Sequence, residues 1–95
     1  MSQNFGPRPG GSASALNLSA ATVIKASPGT VYTVNVTTLG STPGAIYDAA
    51  TTAGNVAANL VGNFEAVGTY RFEFPCLVGI LFEPGTSMVA SVSYS

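Results

Sequence analysis

Apolar and polar residues alternate one by one over much of this chain. Residues 88–94 set Met88, Ala90, Val92 and Tyr94 against Val89, Ser91 and Ser93. Residues 69–74 set Tyr70, Phe72 and Phe74 against Thr69, Arg71 and Glu73, and residues 30–37 set Tyr32, Val34 and Val36 against Thr33, Asn35 and Thr37. Successive side chains of a strand point to opposite faces, so a period of two predicts strands, with the first set in each case facing the core. Shorter strands are read at 21–25 and 45–48. Pro75 is expected to end the strand over 69–74, because proline donates no ladder hydrogen bond. Residues 76–82 form a continuous apolar run around Gly79, as expected of a strand buried on both faces or bulged at the glycine.

Turn chemistry separates these segments. Ser27-Pro28-Gly29, Gly40-Ser41-Thr42-Pro43-Gly44 and Glu83-Pro84-Gly85-Thr86 carry proline and glycine where turns use them. Residues 49–66 stay open: Val56, Leu60 and Val61 fit one or two helical turns, while the same Ala-rich stretch fits a strand. Six or so short strands bounded by turns predict an all-β fold, a small β-sandwich or jelly-roll-like barrel over residues 16–95. Residues 1–15 are dominated by Gly, Pro and Ser and read as an extended N-terminal arm that cannot order itself by apolar burial.

Composition then shifts attention from the fold to the surface. The 95 residues include only seven charges, Arg8, Lys25, Asp48, Glu65, Arg71, Glu73 and Glu83, with no histidine and 46% hydrophobic content. A solitary soluble domain carries about 25% charged residues, so much of this exterior is expected to be Ser, Thr, Asn and Gly, or to touch other protein. A domain this small buries only about two-thirds of its unfolded surface. Oligomerisation is the expected staple, since Cys76 is the only cysteine and reads as a small buried hydrophobe. A net charge of −1 with three scattered cations provides no basic footprint for nucleic acid. No apolar run of about 18 residues is present to cross a bilayer as a helix. The first ten residues lack an apolar signal-peptide core, so synthesis and use without export are expected.

Several chemistries are excluded by residue type. Ser-His-Asp and Cys-His arrangements need histidine, and the lone Lys25 is followed by Ala26, which rules out a phosphate-binding Gly-Lys-Ser/Thr. A carboxylate pair drawn from Asp48, Glu65, Glu73 and Glu83 is the one catalytic type the composition permits, at the roughly 5–9.5 Å separation of glycosidases. Their places at turns and on polar strand faces read instead as solubilising charge, and no Asp-x-Asp spacing supports calcium. No enzyme activity, cofactor, metal or small-molecule substrate is expected. Tyr32, Tyr47, Tyr70 and Tyr94 could form a glycan-stacking platform, but three share register with aliphatic core residues, so buried rings with hydroxyls at the rim are the simpler account.

Two places favour an assembly role. Arg71 and Glu73 flank Phe72 on a polar strand face, where they can bridge to a neighbour and set register. Phe5-Gly6-Pro7-Arg8-Pro9 offers an aromatic anchor and a guanidinium on a chain stiffened by two prolines, suited to lying in a neighbour's groove. Phe5, Pro7, Arg8, Pro9, Arg71 and Glu73 are therefore the candidate assembly contacts.

From about Ala20 onward the layout has further matches. They are Val23-Ile24-Lys25-Ala26 before Pro28-Gly29-Thr30-Val31-Tyr32, then residues 34–38, then Gly44-Ala45-Ile46-Tyr47-Asp48. Gly68-Thr69-Tyr70, Phe74-Pro75, Leu77-Val78-Gly79-Ile80, Pro84-Gly85-Thr86 and residues 89–94 follow. In these the chain resembles small β-sandwich structural proteins of tailed-bacteriophage virions, similar to capsid decoration or cement proteins. The resemblance covers about four-fifths of the domain, contains no reactive residue and does not reach residues 1–15. It implies a virion component on the capsid exterior that contacts the major capsid protein and copies of itself, as a homotrimer over capsomer junctions with arms that clasp neighbours. Related modules in necks, tails and fibres, some of them glycan-binding, are the alternative it implies.

Overall fold

Strand alternation is realised most cleanly at the C-terminus, where Met88, Ala90 and Val92 are buried while Ser91 and Ser93 lie on the opposite face. The structure, a computed structural model, describes residues 13–95. Eight strands follow in order: β1 (Ala13–Leu18), β2 (Thr22–Lys25), β3 (Gly29–Thr38), β4 (Gly44–Tyr47), β5 (Leu60–Phe64), β6 (Gly68–Cys76), β7 (Ile80–Glu83) and β8 (Val89–Tyr94). They form two four-stranded antiparallel sheets, ordered β1-β8-β3-β6 and β2-β7-β4-β5.

This order has a simple origin. The first strand pairs with the last, β2 with β7, β3 with β6, and β4 with β5. The chain is thus one long antiparallel hairpin whose two arms switch between sheets together, and the β3–β8 and β4–β7 pairings roll it into a jelly roll. The core lies between the sheets. Val31, Val34, Val36, Cys76, Ala90 and Val92 come from one sheet and Ile46, Phe64, Ile80 and Phe82 from the other, with Met88 beside them. Phe64 and Phe82 stack with centroids 5.7 Å apart, and Phe64 meets Tyr70 across the sheets at 6.1 Å. No polar or charged residue is buried among the described residues.

The sequence-based expectations hold for the fold class and need correction within it. There are eight strands rather than six. β1 sits at a sheet edge, is mostly exposed, and is kinked at Asn17 (φ 58), so it lacks a clean alternation. Since β1 begins at Ala13, pairing starts inside the 1–15 stretch. In β3 the core position expected of Tyr32 belongs to Val31, because the register shifts between Val31 and Thr33 against both neighbouring strands. Opposite that shift β6 carries an extra residue, with Glu73 in the left-handed region (φ 50), and the bulge turns Phe74 outward.

Pro75 does not end β6, which continues to Cys76 with Pro75 opposite Thr30. β6 is an edge strand, where a missing N–H is tolerated. The apolar run over 76–82 is not one strand: Leu77 and Val78 form an exposed bend, and only from Ile80 does the chain re-enter a sheet. The last turn lies two residues later than expected, closed by the Met88 N–H donating to the Gly85 carbonyl at 3.0 Å, with Ser87 at φ 65. Residues 49–66 contain both alternatives: short 3-10 turns at Thr52–Gly54 and Ala57–Asn59, then β5.

Residues 48–59 form the tip of the long hairpin. They fold back along the outer face of the β2-β7-β4-β5 sheet, where the Asn55 amide donates to Glu83 at 2.9 Å. Leu81, on that outward side of β7, is fully buried. The tip is held together by the Asp48 N–H donating to the Asn59 carbonyl and by the Asn59 amide donating to the Gly54 carbonyl.

Candidate functional site

The four acidic side chains are dispersed along the fold. Each stands on a different element. Asp48, just beyond β4, accepts backbone N–H bonds from Leu77 (3.0 Å), Val78 (2.8 Å) and Gly79 (3.2 Å). Burial raises its pKa, but the three hydrogen bonds to the ionised carboxylate outweigh that and hold it below 3.8. Glu83 accepts from Asn55, and Glu73 from Arg71 at 2.7 Å. Among the described residues no group of three or more His, Cys, Asp or Glu is placed to hold a metal, and no pocket is enclosed. No helix of the described residues is long and apolar enough to cross a membrane.

Cys76 lies in the core at 1% exposure, as the sequence reading has it. Burial, with the Asp48 charge nearby, pushes its thiol up to about 11, so it carries little thiolate at neutral pH. Tyr70 packs against the core, and its hydroxyl accepts the N–H groups of Glu65 (3.2 Å) and Ala66 (2.8 Å), pinning the β5–β6 turn. Tyr32, Tyr47 and Tyr94 are half-buried.

The outer face of the β1-β8-β3-β6 sheet is polar and almost free of charge. Because Ala90, Val92 and Val34 face inward, their neighbours Ser91, Ser93, Thr33 and Asn35 line the opposite face. In register they form rows: Ser14, Ser93, Thr33 and Arg71 across the sheet, then Ser91, Asn35 and Thr69. Hydroxyls and amides bond within this face. Ser93 and Thr33 meet at 2.5 Å, Ser91 accepts the Asn17 N–H at 3.0 Å, and Thr69 donates to Asn35 at 3.3 Å. Arg71 is the one charge in these rows. A neutral, hydrogen-bonding face can be covered by another protein without the several-kcal/mol cost of desolvating ions.

Arg71 and Glu73, the two candidate contacts within the described residues, bond to each other and are 67% and 50% exposed. Such a pair is worth at most about 1 kcal/mol. Arg71→Ala should therefore shift the unfolding free energy by less than about 1 kcal/mol in a urea titration; a larger loss would show that the pair is structural. Phe5, Pro7, Arg8 and Pro9 lie outside the described residues.

A second exposed feature escaped the sequence reading. Phe74, Leu77 and Val78 are 44%, 74% and 54% exposed within five residues of one another. The usable signal was Gly79 inside the apolar run: a Cβ there would lie 2.6 Å from the Ala49 carbonyl oxygen and 2.7 Å from that of Lys25, so the chain must pass close to two other backbones at that point. Comparison of the chain with protein-family models, with curated proteins and with solved structures returns no match.

Proposed function

We propose that this protein is a non-enzymatic virion structural component, a capsid decoration or cement protein that stabilises a phage head by bridging capsomers. The observation that carries the reading is the neutral outer face of the β1-β8-β3-β6 sheet on a chain with only seven charges. Such a surface suits coverage by capsid and sister subunits better than isolation in water. Jelly rolls are frequent in capsid and lectin domains, which supports the reading by analogy of fold alone. The sandwich acts as a rigid plug, the part of the N-terminal arm before β1, residues 1–12, ties protomers together, and a homotrimer over capsomer junctions is the arrangement we favour.

Mass spectrometry of purified particles tests this. The protein should be present in numbers comparable to the capsomers, and a handful of copies per particle would move it to a neck, tail or fibre. Deleting residues 1–12 should leave the thermal melt of the isolated protein within a few degrees while lowering particle occupancy severalfold. Unchanged occupancy would remove the arm from the account.

A further inference from the structure

We propose that the exposed apolar bend at the end of β6 is the docking site of this chain's own N-terminal segment, with Phe5 as its anchor. Phe74, Pro75, Leu77 and Val78 all present side chains to solvent, and only Cys76 among them turns inward. The bend cannot relax into the core, because the Asp48 carboxylate holds the N–H groups of Leu77, Val78 and Gly79. A contiguous apolar stretch of this kind on a small domain marks an interaction site.

The start of the described chain indicates what covers it. Ala13 pairs with Tyr94, Tyr94 with Val31, and Val31 with Phe74, so the point where the N-terminal segment joins the sheet lies in the same cross-strand row as the bend. Three interstrand spacings separate them, about 14 Å. Phe5 precedes Ala13 by eight residues, a reach of roughly 26–29 Å when extended. Gly10 and Gly11 permit the reversal this needs, and Pro7 and Pro9 stiffen the stretch beside the anchor, which reduces the entropy lost on docking. Arg8, the only charged side chain in residues 1–12, would then approach Glu73, the neighbour of Phe74. A short tether gives the chain's own segment an effective concentration in the millimolar range, above that of a second copy at micromolar protein.

The inference does not rest on the virion reading. Where copies are fixed side by side, the same segment and bend can exchange between them, as domain swapping does at low cost.

The test is disulfide trapping in the full chain. Asn4→Cys with Val78→Cys, which keeps Phe5 and Leu77, is compared with Asn4→Cys with Leu39→Cys and with Asn4→Cys alone, at micromolar protein with oxidised glutathione. Leu39 is 59% exposed but follows the far end of the ten-residue β3, eight residues and about 26 Å along the strand from the row, and Cys76 is buried. The Asn4–Val78 variant should form an intramolecular disulfide at least about tenfold faster than the Leu39 variant, with little reaction from Asn4→Cys alone. Equal rates would overturn the proposal. Predominant disulfide-linked dimers would also overturn it and give the bend to a second copy.

Discussion

Phe82→Ala should cost this protein about 3–5 kcal/mol, the usual loss when a fully buried phenylalanine is truncated in a well-packed core. Phe82 has 0% exposure, stacks on Phe64, and lies on β7 between β2 and β4. Its removal opens a cavity where the two sheets meet, and small domains hold only about 5–15 kcal/mol in total. The melting temperature should fall on the order of 20 °C, and the urea midpoint should fall with little change in slope. Leu39→Ala is the contrast. At 59% exposure it should change stability by about 0.5 kcal/mol or less. If the two substitutions cost the same, the core is not where the structure places it.

Asp48→Ala should be the most destabilising change of any charged residue, at about 2 kcal/mol. It removes the acceptor of three backbone N–H groups, and hydrogen bonds to charged groups contribute more than neutral ones. The figure is held low because Leu77 and Val78 are exposed and water can take over part of the bonding. The pH dependence carries a definite sign. The folded-state pKa of Asp48 is depressed, so its contribution is fully present above the ordinary value of 3.8 and is lost as pH falls through the lower folded value. The stability gap between the native protein and Asp48→Asn should therefore be constant from pH 7 to about 5 and should close on acidification below 3.8. A gap that widened in acid would show that the carboxylate is not held in its ionised form.

Much of this fold is legible in the sequence where one strand face is buried and the register is uninterrupted. β8 is the clearest case, since Met88, Ala90 and Val92 are read and found inside. Alternation fails where a bulge intervenes, because one extra residue exchanges the two faces. Tyr32 and Phe74 are misplaced for that reason, and Glu73 at φ 50 gives no signal that a polar strand residue would not also give. The 76–82 run is misread for a different reason. Its break is imposed by Asp48, twenty-nine residues earlier than Leu77, and Gly79 is the one local mark of it. The neutral sheet face is legible as scarcity of charge, but its rows of Ser, Thr and Asn depend on strand pairing that the sequence alone does not specify.

We propose that the surface of this chain is covered by neighbouring protein. A particle reconstruction in which this chain is located tests that claim most directly. It should place the jelly roll on the capsid exterior at capsomer junctions, with the outer face of Ser93, Thr33 and Asn35 against neighbouring protein. A chain found only at the neck, tail or fibre, or standing off the shell with that face in solvent, would contradict it.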